Sequence, residues 1–181
     1  LMIEGGAVDW AGHGNSLGRM IEEQDDFNHS VDAVVAWVNA NGGWAENLVI
    51  VTGDHETGYL VGPNFDTTDM YNTWDVTDNG TGSTPGHQWM SDEHTNQLIP
   101  FYAKGTGSEN FLEEADQYDF YLGDFMDNTA MGRVLMDLWP EPAFTMPVPE
   151  NVIVMISDGW ALNQINATSY FTGITPDYMS W

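Results

Sequence analysis

The chain has no cysteine and very few basic residues. Lysine and arginine together number three against 28 aspartates and glutamates, so the formal net charge at pH 7 is −25. Without thiols, neither a disulfide framework nor a thiolate metal site can form. The negative charge excludes charge-driven binding to nucleic acid or to an anionic membrane surface. No run of about 18 apolar residues occurs, so we expect no membrane-spanning helix.

The composition is nevertheless that of a folded protein. Of the 181 residues, 42% are hydrophobic, and eight tryptophans and eight phenylalanines supply apolar surface for a core. Acidic chains with so little lysine are typical of proteins that stay soluble in concentrated salt, where self-repulsion is screened. We therefore expect an acidic, halophilic protein. The alternative is an acidic surface that is common to a whole family.

The hydrophobic pattern predicts alternating helices and strands. Apolar residues recur at three- and four-residue spacing from residue 17 to 41, which predicts an amphipathic helix that ends at two glycines. Residues 48–52 are apolar and β-branched, as in a buried parallel strand. The remaining predicted elements are strands at 98–103 and 152–156, helices at 127–138 and 160–171, and a long surface loop at 62–86. This order predicts an α/β fold.

Candidate metal ligands accompany the predicted strands. Glu4 ends an apolar stretch, and the two glycines that follow let the backbone bend. Asp9 and His13 are four residues apart, which places a carboxylate and an imidazole on one face of a helical turn. Oxygen and nitrogen ligands in such a pair suit zinc. Taken alone, such a pair is more often a capping aspartate and a surface histidine in an N-terminal turn, and the other candidate ligands of the chain reverse that preference.

Four more candidates extend this set. Asp54 and His55 come directly after the strand predicted at 48–52, where open α/β sheets bind ligands. His94 precedes the strand predicted at 98–103, and Asp158 follows the one at 152–156. The two remaining histidines, His29 and His87, are predicted to lie on a solvated helix face and at the edge of a loop.

Three motifs in this order, MIEGGAVDWAGHGN, VIVTGDHETG and EHTNQLIPFYAKG, resemble the C-terminal half of the alkaline phosphatase family. The resemblance covers residues 1–138. It implies a fragment of a three-layer alkaline-phosphatase-like fold, with a mostly parallel central sheet flanked by helices. It also implies two Zn²⁺ ions and one Mg²⁺ ion. The implied ligands are Glu4 for magnesium, Asp9, His13 and His94 for the first zinc, and Asp54 and His55 for the second zinc.

A second segment, residues 151–170, resembles the first strand and helix of the same family, which lie in its N-terminal half. In that resemblance Asp158 bridges the second zinc and magnesium, and Trp160 stands where a small or flexible residue is more usual. We expect the C-terminal part of one phosphatase domain at residues 1–138, a proline-rich linker at 139–150 and the start of a second phosphatase-like segment at 151–181. A tandem protein is the simplest interpretation of this order, and a circular permutation is the alternative.

The resemblance implies a phosphomonoester hydrolase that acts through a phosphoserine, in the periplasm or outside the cell. It allows a homodimer and gives no membrane or specific nucleic-acid partner. The family's nucleophilic serine and phosphate-binding arginine have no counterpart here, since no serine has a matching context and both Arg19 and Arg133 fall on predicted helices. We therefore expect a fragment of a longer protein that is inactive alone. The alternatives are another phospho- or sulfo-transfer enzyme of the same superfamily and a non-catalytic metal-binding relic.

The strand predicted at 152–156 has a specific expected position. In the family, the strand that carries the Asp-Gly motif lies near the strand that ends in Asp-His. Without that neighbour, residues 48–52 would leave buried backbone groups unpaired. A proline-rich linker of about a dozen residues can span roughly 30–40 Å. We therefore predict that residues 152–156 pair in parallel with residues 48–52, with the carboxylates of Asp158 and Asp54 within about 6 Å. The alternative is a free C-terminal segment.

Overall fold

A computed structural model describes residues 1–139 and 148–181 of the chain. Its strands are β1 (Met2–Gly5), β2 (Asn47–Thr52), β3 (Glu56–Thr57), β4 (Leu60–Val61), β5 (Gln88–Trp89), β6 (His94–Thr95), β7 (Phe101–Gly105), β8 (Gln117–Asp119), β9 (Gly123–Phe125) and β10 (Asn151–Ser157). Its α-helices are α1 (Ala7–His13), α2 (Leu17–Ala40), α3 (Met70–Thr73), α4 (Asn110–Glu114), α5 (Thr129–Asp137) and α6 (Leu162–Thr172). Two short 3₁₀ turns cover Gly43–Ala45 and Asp177–Ser180.

Four strands form the central sheet, in the order β1, β10, β2, β7. β10 runs parallel to both of its neighbours, and β7 pairs antiparallel with the far edge of β2. The pairing of β10 with β2 extends from Asn151 opposite Asn47 to Ile156 opposite Thr52. The prediction that residues 152–156 enter the sheet beside residues 48–52 is therefore confirmed.

β2 is buried on both faces, which accounts for its continuous apolar sequence. Val49 and Val51 belong to a core that includes residues of α2 and α6. Leu48 and Ile50 point the other way, into a smaller core with residues of α4 and α5. Burial of each such side chain contributes about 1.5–3 kcal/mol. Helices thus cover both faces of a mostly parallel sheet, as predicted.

The parallel strands bring their C-terminal ends to one edge of the sheet. Glu4 lies near the end of β1, Asp158 directly follows β10, and Asp54 lies two residues beyond β2. The chain turns from β1 straight into α1, which carries Asp9 and His13 to the same edge. The direction of the strands therefore places most of the candidate ligands at the same edge of the sheet.

Two glycines allow the segments at this edge to approach closely. Gly159 has φ +81°, and a Cβ there would stand 2.5 Å from the Cα of Asp9, so only glycine fits beside α1. A Cβ at Gly53 would stand 2.1 Å from Cδ1 of Trp160, whose ring is fully buried. That ring packs against Phe27 and Tyr178, with centroids 5.7 and 5.9 Å away. Gly53 thus leaves room for a tryptophan at a position where a small residue was expected.

One predicted strand is displaced and several helix ends differ by one or two residues. The strand expected at 98–103 begins at Phe101, because Pro100 has no N–H to donate to the ladder. The helices expected at 17–41, 127–138 and 160–171 are observed as α2, α5 and α6. The loop expected at 62–86 contains the single turn α3 and an antiparallel bridge between Thr77 and Gly86.

Most of the predicted linker, residues 140–147, lies outside the described residues. The division into a first domain at 1–138 and a second phosphatase-like segment at 151–181 stays a prediction. Within the described parts of the chain, no helix combines the length and the apolar character needed to cross a lipid bilayer.

Candidate metal centre

The first group of candidate ligands consists of Asp9, His13 and His94. Because α1 is helical, Asp9 and His13 lie on one face, with 3.5 Å between Oδ1 and Nε2. His94 comes from β6, and its Nε2 lies 3.4 Å from Oδ1 of Asp9 and 3.1 Å from Nε2 of His13. Ligands about 2.0–2.1 Å from one tetrahedral zinc ion stand roughly 3.3 Å apart. The spacing of these three atoms therefore fits a zinc ion.

The second group consists of Asp54, His55 and Asp158. Nε2 of His55 lies 3.3 Å from Oδ2 of Asp54 and 3.5 Å from Oδ1 of Asp158, and one ligand atom from each residue lies within 4.8 Å of the others. The separation of the two carboxylates is therefore inside the predicted 6 Å. His55 also forms a group with Asp9 and His94, and its ring stacks on that of His94 at 3.6 Å between centroids. The two groups are therefore directly adjacent.

Glu4 lies beside these groups but belongs to neither of them in the described part of the chain. Its strand neighbour β10 leads directly into Asp158, whose backbone N–H donates to the carbonyl of Gly5. The negative charge of Glu4 also contributes to the raised pKa of Asp158. Glu4 opens on a cavity of about 140 Å³ that Glu23, Asp26 and Ser30 help to line.

Among the candidate ligands in the described part of the chain, Asp158 alone has a buried oxygen that lacks a partner. Its Oδ1 accepts no hydrogen bond within the described residues. Burial, together with the negative charges of Asp54 and Asp9, raises the pKa of Asp158 to about 7. A buried carboxylate oxygen without a donor is costly unless a proton or a cation neutralises the group. This oxygen, with the Asp/His donor set around it, fits a zinc or magnesium ion.

Hydrogen bonds to the second ring nitrogen orient two of the histidines. His13 Nδ1 lies 2.5 Å from the carbonyl oxygen of Asp92, an acceptor that requires Nδ1 to carry the proton. That contact is the main cause of the raised pKa of His13, which the nearby Asp9 carboxylate raises further. With the proton on Nδ1, the lone pair of Nε2 points toward Asp9 and His94. Metal-binding histidines are commonly fixed in this way.

Thr57 performs the same task for His55 and connects the two groups. Its fully buried hydroxyl donates to Oδ1 of Asp9 at 2.6 Å. Since its proton is directed at Asp9, the oxygen can accept from Nδ1–H of His55, which lies 3.3 Å away. Nε2 of His55 then keeps its lone pair on the side of Asp54 and Asp158.

Sequence reasoning did not identify Thr57 or the carbonyl of Asp92. Thr57 stands two residues after His55, a spacing that puts both side chains on one face of an extended segment, so the pattern could have indicated it. The Asp92 contact spans 79 positions and uses a backbone atom, which leaves no signal in the sequence. His29 is exposed, and His87 contacts the carbonyl of Pro85, so neither joins the site.

Comparison with known proteins relates this edge of the sheet to one enzyme family. Residues 1–85 match the alkaline phosphatase family. The chain is 36% identical over 63 residues to alkaline phosphatase 3 of Bacillus subtilis, and 35% identical over 65 residues to alkaline phosphatase 4 of the same organism. The resemblance to alkaline phosphatases is confirmed over residues 1–85. The family match includes Glu4, Asp9, His13, Asp54 and His55, while His94 and Asp158 lie beyond it.

The alkaline phosphatase similarity covers a small share of each relative. The alignments span 34% and 35% of this chain but 13% of each Bacillus alkaline phosphatase. A solved structure of TAB5 alkaline phosphatase, a His-to-Asp mutant with magnesium bound in its M3 site, aligns with 73% of this chain and 33% of that chain. Its sequence identity is 27% and its TM-score 0.48.

Proposed function

We propose that this chain supplies the metal ligands of an alkaline phosphatase, an enzyme that hydrolyses phosphate monoesters. The observation that supports this most directly is the adjacency of two Asp/His groups at the ends of β1, β10 and β2. Asp9, His13 and His94 would hold one zinc ion, and Asp54, His55 and Asp158 a second one. Glu4 and Asp158 would hold magnesium, which prefers carboxylate oxygen and water.

When bound, a pair of zinc ions supplies positive charge at the attacking and leaving oxygens of an in-line phosphoryl transfer. The residues of this chain prepare that site in three ways. Thr57 and the Asp92 carbonyl keep the protons of His55 and His13 on Nδ1, away from the site. Gly159 allows Asp158 to approach Asp9. Mixed carboxylate and imidazole ligation leaves coordination positions open for phosphate.

The proposed reaction proceeds through a phosphoserine, and no serine of this chain has the sequence context expected of that nucleophile. The chain is therefore proposed to contribute binding and electrostatics, while the activity belongs to the whole enzyme. A periplasmic or extracellular location follows from the family resemblance and is part of the same proposal.

Zinc stoichiometry tests this proposal without requiring activity. The 181-residue chain, dialysed against zinc and then against buffer, should retain two zinc ions by mass spectrometry of the metal. Inorganic phosphate should bind to the zinc-loaded chain and not to the chelator-treated one. His94→Ala should lose zinc, whereas His29→Ala, which removes another exposed histidine, should retain both ions. A wild-type chain that retains less than one zinc ion, or equal zinc in the two variants, contradicts the proposal.

A further inference from the structure

Glu56 is completely buried although it carries a carboxylate. It is the first residue of the short strand β3 and lies between His55 and Thr57 in the sequence. Across the described parts of the chain, no basic side chain forms an ion pair with Glu56. A buried charge of this kind is tolerated only when hydrogen bonds satisfy it.

Four donors surround this carboxylate, two at each oxygen. Oε1 accepts from the backbone N–H of Leu60 at 3.0 Å and from the side-chain amide of Gln164 at 2.9 Å. Oε2 accepts from the hydroxyl of Thr95 at 2.5 Å and from the side-chain amide of Gln97 at 3.1 Å. A carboxylate has about four acceptor positions. All of them are used, so Glu56 has no lone pair left for a metal ion.

Three of the four donors, Thr95, Gln97 and Gln164, come from segments that also carry candidate ligands. Thr95 is adjacent to His94 and lies opposite Glu56 in the β3–β6 pair. Gln164 lies on α6, in the segment that begins at Asp158, and its Oε1 accepts from the backbone N–H of Ala161 at the start of that helix. Through these contacts one carboxylate joins the backbone around His55, His94 and Asp158.

We propose that Glu56 is a positioning residue that holds these three ligand-bearing segments in register for metal binding. The proposal rests on the proposed function, because it concerns the same centre. Glu56 acts through its neighbours: it follows His55 directly in the chain, its bond to Thr95 fixes β6, and its bond to Gln164 fixes the start of α6. The carboxylate itself touches neither the metal nor the substrate.

The amide variant Glu56→Gln tests this with little change of shape. All four neighbours donate to Glu56, so the new NH₂ group would place a donor against donors at one of the two oxygen positions. We expect its zinc affinity to fall about tenfold or more, as for other residues that orient metal ligands. The visible spectrum of the Co²⁺-substituted chain should also change, since it reports ligand geometry. The matched control is Glu22→Gln, which removes the same charge from the exposed face of α2.

The measurement is a competition titration of zinc between the full chain and a chromophoric chelator, at a pH where both variants are folded by circular dichroism. Equal affinities and equal Co²⁺ spectra for Glu56→Gln and the wild type would overturn the proposal. A wild-type chain that binds no zinc would instead refute the proposed function, and this inference with it. Failure of this inference would therefore be seen in the Glu56→Gln variant, and failure of the proposed function in the wild-type chain.

A second pair of variants keeps the proposal testable if Glu56→Gln does not fold. Thr95→Val removes one donor and leaves three, whereas Thr95→Ser keeps the hydroxyl. We expect weaker zinc binding and an altered Co²⁺ spectrum for the valine variant, and wild-type values for serine. A valine variant that binds zinc as tightly as the serine variant would contradict the role given to Glu56.

Discussion

Two carboxylates at the same edge of the sheet have opposite surroundings. Glu56 is fully buried and accepts four hydrogen bonds, two at each oxygen. Asp158 is only partly buried, yet its buried Oδ1 accepts none in the described chain. Neighbouring carboxylates further raise the pKa of Asp158. Burial alone therefore does not distinguish a structural acid from a candidate ligand, whereas the supply of donors does.

The difference follows from where the donors lie. Glu56 faces the interior of the β3–β6 and α6 contacts, where amides and a hydroxyl converge on it. Asp158 faces Asp54 and His55, and one ligand atom of each residue lies within 4.8 Å of the others. The first arrangement is complete without a cation. The second arrangement leaves Oδ1 of Asp158 without a donor, and the proposed cation would supply the missing positive partner.

The largest effect is expected from Asp158→Asn. This variant keeps the shape of the side chain and removes the charge that a cation would neutralise. Zinc affinity should therefore fall by about 100-fold or more, a larger loss than for residues that only orient the metal ligands. The metal-free chain should become no less stable, since repulsion from Asp54 and Asp9 is relieved. Zinc titration and urea unfolding measure the two quantities.

The control for that variant is Asp137→Asn, an equal charge change on the exposed part of α5. Its zinc affinity should match the wild type. Loss of stability in metal-free Asp158→Asn, rather than a gain or no change, would show that the carboxylate is already satisfied by the protein, and the comparison with Glu56 would fail.

In the absence of metal, Glu56→Gln should lower the free energy of unfolding, whereas Asp158→Asn should not. Placing donors against a new NH₂ group in a buried site costs about 1–3 kcal/mol in the free energy of unfolding. Urea unfolding of the chelator-treated chain measures this, and Glu22→Gln should change the free energy by less than about 0.5 kcal/mol. Equal stability of Glu56→Gln and wild type would mean that the four donors do not hold a charged carboxylate.

The sequence predicts much of this fold because its strongest signals are local. Three- and four-residue spacing locates α2, and a β-branched run locates β2. The place of β10 follows from a different argument, that β2 needs a neighbour to satisfy its backbone. The start of β7 was misplaced because hydrophobicity extends through Pro100, whereas hydrogen bonding does not.

The same distinction applies to the site. Asp9 and His13 are visible as a helical pair, and Asp54 and His55 as a pair after a strand, so their proximity could be anticipated. Glu56 could not be singled out, because a glutamate in a polar motif is ordinarily exposed. Its donors lie 4, 39, 41 and 108 positions away, which no local pattern relates.

A smaller effect is expected from Thr57→Val, which tests the connection between the two ligand groups. The variant removes the 2.6 Å bond to Asp9 and the acceptor for Nδ1–H of His55. We expect about a tenfold loss of zinc affinity, the lower end of the range for residues that orient ligands. Thr57→Ser keeps the hydroxyl and should bind zinc as the wild type does. A valine variant with unchanged affinity would show that His55 needs no such orientation.

The smallest effect concerns a third carboxylate, that of Asp75, which lies at the surface and has a tyrosine as its partner. The hydroxyl of Tyr121 donates to Oδ2 of Asp75 at 2.6 Å. Partial burial, helped by this bond and by the negative charge of Asp75, raises the pKa of Tyr121 to about 12. Because the site is largely exposed, Tyr121→Phe should cost only about 0.5 kcal/mol in the free energy of unfolding.

The contribution of the Tyr121–Asp75 pair to stability should decrease at high pH. The folded chain holds the phenol proton more tightly than the unfolded chain, where tyrosine titrates near 10. The stability that this pair provides is therefore fully present below pH 10 and is lost as the pH rises through about 12.

Difference absorbance at 295 nm between the wild type and Tyr121→Phe should show one phenol that titrates near 12. Asp75→Asn, which keeps an acceptor oxygen but removes the charge, should move that titration toward 10. If the phenol of Tyr121 titrates near 10 in the wild type, Asp75 does not hold its donor. The contrast drawn between Glu56 and Asp158 would then apply only to buried carboxylates.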